Sequence, residues 1–259
     1  MDIFLYLDRH TMIHRLDPRI KMLGLLASFA VLLLFDHPLV ELALTLALLA
    51  LAALAQALPN VRRMLTMLLT ITVFSTLVWS FFAHGATRLL GPVSVESFLY
   101  GLGTGLKYAN VIVAGIIFLS TTKNEEILAG LIRLGLPFPV GFTFSTALRL
   151  VPTFVGSGMT IIEAQRSRGL DVETGGFFAR LRKQLPLLIP VFASSIRGTN
   201  QLSMALESKG FGARQKRTYY LQLSPGVPDY LVAVLALTAV AAAVYLNRLG
   251  FGGIAGLVR

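Results

Sequence analysis

Two short polar stretches of this apolar chain carry residue types that could do chemistry. They are EAQRSRGLD at 163–171 and ALESKGFG at 205–212, with Arg168 and Lys209 41 positions apart. In each stretch a helical pattern runs into a cation and then a glycine, which ends a helix readily because it adopts left-handed backbone conformations. A cation at such a helix end can pair with carboxylate or carbonyl oxygens of another molecule. One such end is a plain helix stop, but its repetition favours partner binding.

Patterns typical of catalysis or metal binding are missing from the sequence. There is no G-x-x-x-x-G-K-[ST] phosphate loop, no G-x-S-x-G elbow and no cysteine, and the four histidines fall in terminal or loop-like positions. An intramembrane enzyme acting on lipids would need an acidic cluster such as a repeated D-x-x-D, which is not found. We therefore expect no enzyme activity, no cofactor and no metal site in this chain.

Composition indicates a polytopic membrane protein. Hydrophobic residues make up 55% of the 259 positions, and the mean hydropathy is +0.72. The charged N-terminus lacks the pattern of a secretory signal peptide. A net charge of +10 would suit a nucleic-acid-binding protein, but in a membrane protein a basic excess marks cytoplasmic loops instead. We therefore expect a lipid bilayer and no nucleic acid.

Apolar runs predict five transmembrane helices in an all-α integral membrane protein. A span needs roughly 20 predominantly apolar residues. The predicted spans are 20–35, 39–58, 64–83, 98–119 and 230–246. Lys21, at the start of the first span, is able to extend its ammonium toward the membrane surface. The predicted organisation is four helices in 1–120, a coupling region in 121–228, and a last helix with a tail in 229–259.

The region 121–228 differs from the rest in charge and in periodicity. It holds 13 of the 23 Lys and Arg residues and 6 of the 13 acidic ones. Apolar residues recur at three- or four-residue steps, which predicts two long amphipathic helices at about 143–169 and 187–210. We expect these helices, with prolines 152, 186 and 190 preceding them, to lie at the membrane surface or pack on each other. The recurring positions are Phe144, Leu148, Val151, Val155 and Ile162, then Phe192, Ile196, Thr199, Leu202 and Leu206.

Loop charge predicts the orientation of the chain. Basic residues concentrate before the first span, between the second and third spans, and in 121–228, whereas the alternate loops hold almost none. Because cytoplasmic loops carry the excess of Lys and Arg, the N-terminus and residues 121–228 are predicted to be cytoplasmic.

The fourth span carries small residues at four-residue spacing, Gly101, Gly105 and Ala109. Such a stripe lets helices approach closely in lipid. It predicts either internal packing or contact with a membrane partner, and both remain open at this point. Lys107 and Asn110 are polar residues in the same span whose role the sequence does not assign.

Four motifs together resemble the transmembrane T-component of energy-coupling factor (ECF) transporters, a group of ABC-type importers. They are HRLDPRIKML near the N-terminus, ALRLVPTF at 147–154, EAQRSRG and ALESKGFG. The resemblance implies about five transmembrane helices and two long cytoplasmic coupling helices that cross each other. Each coupling helix would end in an Ala-Arg-Gly-like triplet that docks in a groove of one ATPase subunit. These triplets are Ser167, Arg168 and Gly169, and Ser208, Lys209 and Gly210.

The triplets depart from the family pattern. Serine replaces alanine in both, and lysine replaces arginine at Lys209. Lysine keeps the charge but lacks the planar, bidentate fork of arginine, so the two contacts are not expected to be equivalent.

The resemblance also implies partners and a location. The partners would be two ABC ATPase subunits, identical or different, which bind the ATP, and a small substrate-binding membrane subunit (an S-component or a metal-capture equivalent). The location would be a prokaryotic cytoplasmic (inner) membrane, crossed several times. Vitamins and transition-metal ions both remain open as substrates, because in this family the substrate-binding membrane subunit, here called the capture subunit, determines which substrate is bound. The alternative is a conventional ABC permease with its own translocation pathway.

Overall fold

The computed structural model describes residues 6–9, 11–82, 84–85, 88–90, 93–169, 176–213, 226–250 and 257–258. Only the backbone is described at 84–85, 88–90, 93, 177, 179–184 and 257–258. The predicted segments 170–175, 214–225 and most of the C-terminal tail therefore lie outside the description. The helices are α1 (Pro18–Leu34), α2 (Pro38–Leu54), α3 (Leu58–Arg63), α4 (Leu65–Phe82), α5 (Val95–Thr121), α6 (Asn124–Arg133), α7 (Phe138–Ser167), α8 (Phe177–Ser208) and α9 (Val227–Arg248).

The predicted all-α class is confirmed, with two very short strand pairs added. Strands β1 (His84–Gly85) and β4 (Leu257–Val258) pair antiparallel, as do β2 (Arg88–Leu90) and β3 (Val93–Ser94). Each ladder is only two or three residues long. These pairs link the α4–α5 connection to itself and to the C-terminal end, and they do not form a sheet layer.

The chain divides into two compact units. The first comprises Met1–Gly135 and Leu223–Arg259, and the second comprises Leu136–Gln222. We call the first the membrane unit, because it holds the helices at all five predicted spans. We call the second the coupling unit, because it holds α7 and α8.

Helix starts in the membrane unit follow local capping chemistry. The Asp17 carboxylate accepts a hydrogen bond from the Arg19 backbone N–H at 3.0 Å, and Pro18 occupies the first turn of α1. At α2, His37 Nδ1 accepts a hydrogen bond from the Leu39 backbone N–H at 3.3 Å, and Pro38 occupies the first turn. A side-chain acceptor satisfies an orphan N–H, and proline needs no partner at this position. These signals explain why α1 and α2 begin where the sequence predicts.

Helix α5 is the centre of the membrane unit and contacts α1, α2, α3 and α4. Its small-residue stripe faces α4: a Cβ added at Gly105 would lie 2.8 Å from the Thr72 carbonyl oxygen, and one at Gly101 would lie 2.9 Å from that of Thr76. Only glycine allows this approach, so the stripe serves internal packing at these two positions. The buried core around it is Ala52, Ala55, Ala57, Val61, Leu68, Ala109, Val113, Ile116 and Ile117.

Helix lengths bear on which elements can cross a membrane. Within the described ranges, α4, α5, α7 and α9 are long and apolar enough to span. Helices α1 and α2 have 17 residues each, at the lower end of the usual range. Helix α7 meets the same length and composition criterion although the sequence places it in the cytoplasmic region, and that placement stays a prediction.

The proline positions differ from expectation. Pro152 lies inside α7, and Pro186 and Pro190 lie inside α8, which begins at Phe177, ten residues before the predicted start. Each interior proline removes one backbone hydrogen bond, yet the flanking turns remain helical. The expectation that these prolines precede the coupling helices is wrong.

Candidate docking site

The first predicted triplet forms the C-terminal end of α7. Ser167 is the last helical residue, Arg168 is the C-cap with φ −86° and ψ 7°, and Gly169 has φ +88°. The Gly169 N–H donates to the Arg166 carbonyl at 2.9 Å. A positive φ is strained for residues with a Cβ, so glycine is the residue type that this turn requires.

The second triplet ends α8 with nearly the same backbone. Lys209 is the C-cap with φ −87° and ψ 5°, and Gly210 has φ +72°. The Gly210 N–H donates to the Glu207 carbonyl at 2.9 Å, and the Phe211 N–H donates to the Leu206 carbonyl at 2.9 Å. This pair of bonds is the Schellman motif, which satisfies carbonyls that the helix leaves unpaired. The two tips therefore share a backbone conformation as well as a sequence pattern.

All six triplet residues are exposed. The two serine hydroxyls bond back to their own helices, Ser167 Oγ to the Glu163 carbonyl and Ser208 Oγ to the Ala205 carbonyl, each at 3.0 Å. The serines therefore complete the tips without offering an activated nucleophile. The exposed charged groups of the two triplets are the guanidinium of Arg168 and the ammonium of Lys209.

Aromatic packing holds the second tip beside the start of α7. The Phe211 ring packs against the Phe142 ring at a tilt of 39°, with 4.5 Å between the ring centroids, and the Phe138 centroid lies 6.2 Å from that of Phe211. Phe142 and Arg168 are separated by nearly the whole of α7, roughly 39 Å at 1.5 Å per residue. The six predicted residues thus form two separate tips at opposite ends of one helix, and not one combined site.

The apolar faces predicted for the coupling helices are largely uncovered within this chain. Phe144 is 58% exposed on α7, and Phe192 and Ile196 are 63% and 60% exposed on α8. Helices α7 and α8 contact each other, but these large side chains are still mostly exposed. An exposed apolar stripe of this kind is typical of a surface that another protein or a membrane covers.

The N-terminal motif has a role that the sequence reasoning missed. Lys21 is 7% exposed, and its ammonium donates to the carbonyls of His14 and Thr121, both at 2.8 Å. Glu126 of α6 lies 3.9 Å from the same ammonium. The Lys21 ammonium is therefore bound by backbone carbonyls within the protein, one of them at the end of α5, and its depth relative to the membrane surface stays a prediction. A lysine inside an apolar run is the only sequence signal for this contact.

Further bonds tie the same end of the membrane unit together. The Asp17 N–H donates to Asp229 Oδ1 of α9 at 2.7 Å, and the Leu7 N–H donates to the Ser120 carbonyl at 3.0 Å. His14 bridges the Thr11 hydroxyl and the Leu7 carbonyl. Burial lowers the pKa of His14, and the nearby Lys21 ammonium acts in the same direction. The motif HRLDPRIKML therefore joins α1, α5 and α9.

The two polar residues of α5 that the sequence left unassigned also bind within the membrane unit. Lys107 Nζ donates to Asp36 Oδ1 at 2.6 Å, and Asn110 Nδ2 donates to Glu41 Oε2 at 2.9 Å. Both pairs join α5 to the start of α2 or the turn before it. In the described part of the chain, no group of three or more metal-ligating side chains comes together.

Comparison with known proteins agrees with this architecture. The CbiQ family, described as "Cobalt transport protein", matches residues 9–220. The transmembrane protein EcfT of the energy-coupling factor transporter of Streptococcus equi is 30% identical over 255 residues, covering 90% of this chain and 91% of that protein. EcfT of Staphylococcus aureus is 31% identical over 232 residues, covering 84% of this chain and 86% of its own.

In a longer relative, the region similar to this chain is only one part of the protein. A putative ABC transporter ATP-binding protein of Bifidobacterium longum is 31% identical over 252 residues, which cover 92% of this chain but only 32% of that protein. This chain thus spans about a third of that relative and nearly all of the EcfT proteins. With its helical membrane unit and two matched helix tips, the chain belongs to the CbiQ family, the transmembrane T-components of energy-coupling factor transporters.

Proposed function

We propose that this chain is the scaffold of an ECF-type importer and that its two tips dock two ABC ATPase subunits. One observation carries the proposal: α7 and α8 end in the same exposed turn, a cation followed by a positive-φ glycine, at opposite ends of α7. Two ends with the same backbone turn, one at each end of α7, suit two subunits better than a single groove.

The chemistry of docking follows from the exposed cations. A cation entering a groove pairs with carboxylate or carbonyl oxygens, and each charge-assisted hydrogen bond contributes about 1.5–3 kcal/mol. Arg168 can make two parallel bonds to one carboxylate, whereas Lys209 acts as a point charge. The Lys209 contact is therefore expected to be the less directional of the two, which suits either a pair of different ATPase subunits or two unequal contacts.

The Bifidobacterium relative supports ATPase partners. Its name describes an ATP-binding protein, and a region similar to this chain makes up a third of its length. A polypeptide that contains both an ATP-binding part and a region similar to this chain is expected where the two parts always work in the same complex. In our proposal ATP is bound by the partner subunits, and this chain contributes no catalytic residue and no cofactor.

A substrate-capturing membrane subunit would cover the uncovered faces of the coupling helices. Phe144 and Phe192 offer large apolar surface, and apolar burial stabilises an interface by roughly 25 cal/mol per Å². ATP-driven movement of the two ATPases would displace the tips, and α7 and α8 would pass that displacement to the capture subunit. The substrate would be a vitamin or a transition-metal ion that the capture subunit selects.

The proposed orientation rests on loop charge. The N-terminus and residues 121–228 carry most of the Lys and Arg residues, which supports a cytoplasmic position for both. The proposed location is the inner membrane of a prokaryotic cell. Both tips would then face the side on which ATP is available.

Charge reversal at the tips tests the proposal. Arg168→Glu and Lys209→Glu should each weaken co-purification with the ATPases, and the double variant should abolish both assembly and ATP-dependent uptake. Arg197→Glu is the matched control, because Arg197 is an exposed cation of α8 away from the tip. Lys209→Arg should retain assembly.

Two outcomes would count against the scaffold function. Unchanged assembly and uptake in the double variant would overturn docking through the tips. Uptake by this chain and its ATPases without any capture subunit would favour a conventional ABC permease with its own pathway.

A further inference from the structure

A cavity of about 240 Å³ lies inside the membrane unit between α1, α2, α5 and α9. Its walls include Gly24, Leu48, Ala114 and Val232, one from each helix. Leu51 and Leu235 also line it and are 42% and 71% exposed. Because these exposed leucines lie on apolar helices, the cavity opens toward the surface that the bilayer would cover.

The polar side chains lining the cavity are already bonded. The Lys21 ammonium donates to two carbonyls, Ser28 Oγ donates to the Leu25 carbonyl at 2.7 Å, and Thr121 Oγ1 donates to the Ile117 carbonyl at 2.9 Å. Each polar side chain among the described lining residues thus already donates to a backbone carbonyl of the protein, and the other lining residues are apolar apart from Gly24. The cavity therefore offers mainly hydrocarbon contact, and apolar cavities of about 150 Å³ stay dry and take apolar ligands.

The length of the cavity matches one leaflet. On α1 the lining runs from Ile20 to Ser28, which is roughly 12 Å along the helix axis. Half of the hydrocarbon core of a bilayer is about 15 Å. The end near Lys21 adjoins the charged N-terminal segment, and the other end lies among apolar helix interiors, as an acyl chain entering from a headgroup region requires.

We propose that this cavity binds one acyl chain of a membrane phospholipid. The bound acyl chain fills the space that α1, α2, α5 and α9 leave between them, and so stabilises the membrane unit. Because the Lys21 ammonium is held by protein carbonyls, the site selects the acyl chain and not the headgroup. The proposal depends on membrane insertion and is independent of docking to ATPases.

Photolabelling of the full chain tests the proposal. The chain is reconstituted in vesicles of phosphatidylethanolamine and phosphatidylglycerol that contain a trace of phospholipid with a diazirine in its acyl chain. Adducts located by mass spectrometry should be enriched at least fivefold at the cavity walls over other apolar surface of α4 and α9. Probes with phosphatidylcholine and phosphatidylglycerol headgroups should label these walls equally.

Filling the cavity provides the matched comparison. A Cβ at Gly24 meets nothing within 4 Å, and the same is true at Gly115, which does not line the cavity. Gly24→Leu should reduce wall labelling at least fivefold, whereas Gly115→Leu should leave it unchanged. Leu235→Trp fills the cavity from the opposite wall at an exposed position, so it provides the same test if Gly24→Leu does not fold.

Each remaining outcome decides against the proposal. Wall labelling that persists in a folded Gly24→Leu or Leu235→Trp variant would overturn it, as would labelling no stronger than that of the other apolar surfaces. Labelling lost when the chain assembles with its partners would assign the cavity to a partner protein. A strong preference for the phosphatidylglycerol probe would contradict selection by the acyl chain.

Discussion

The ammonium of Lys21 and the backbone carbonyl of Thr121 are 2.8 Å apart, although 100 positions separate them in the chain. The contact joins the start of α1 to the last residue of α5, from which the chain continues through α6 toward the coupling unit. Because the last carbonyls of a helix have no partner within it, a buried lysine here satisfies a group that would otherwise be costly.

Lys21→Met is expected to destabilise the membrane unit. It leaves the carbonyls of His14 and Thr121 without their charged donor, at a cost of about 1–3 kcal/mol for each buried acceptor. Thermal unfolding in detergent, followed by circular dichroism, measures the effect. Lys123→Met is the control: Lys123 is exposed, its pair with Asp8 is at 4.0 Å, and such pairs contribute little. Equal melting temperatures for the two variants would contradict the role of Lys21.

Gly105→Ala should loosen the packing of α5 on α4. The added Cβ would lie 2.8 Å from the Thr72 carbonyl oxygen, a backbone atom that cannot swing away, so the helices must separate at a cost of about 1–3 kcal/mol. Gly115→Ala on the same helix has open space and should be neutral or slightly stabilising. The melting temperatures of the two variants test this, and a neutral Gly105→Ala would disprove the close approach.

The pair Glu41 and Asn110 should behave as one unit in a double-mutant cycle. Glu41 is fully buried and Asn110 is 1% exposed, so either single change to leucine leaves a buried polar group unsatisfied. Changing both removes that penalty, because two apolar side chains can replace a buried polar pair. We expect a coupling of about 0.6–1.7 kcal/mol, the range of interhelical hydrogen bonds in membranes. Additive effects on stability would show that the two residues act independently.

Stability should fall in mild acid because of His14. Burial lowers the pKa of His14 in the folded chain, Lys21 acts in the same direction, and Glu126 opposes them. The unfolded chain then binds the proton more tightly, so the contribution is complete above roughly pH 6.5 and is lost as the pH falls through the folded pKa. His14→Gln should therefore lose less stability than wild type between pH 7 and 5. A slope identical to that of wild type would rule this out.

Much of the fold could be predicted because its signals are local. Apolar runs and proline-containing turns predicted α1, α2, α4, α5 and α9 to within a few residues, and glycine after a cation predicted both tips. Whether the tips dock ATPases stays a prediction. The sequence pattern predicts the start of α8 ten residues too late, because proline often marks a helix boundary, whereas Pro186 and Pro190 lie inside the helix. A proline inside a helix removes one backbone hydrogen bond and costs about 3 kcal/mol, yet α8 continues on both sides of the two prolines.

The sequence by itself determined the membrane class, the helical elements and the chemistry of the two tips, because periodicity, capping and glycine conformation act over a few residues. Only the tertiary structure decided that Gly101 and Gly105 face α4, that Lys21 binds Thr121, and that Phe211 holds the second tip beside Phe142. These relationships join residues that lie about 25 to 100 positions apart. They depend on which faces pack together, and a single helix pattern does not specify its partner.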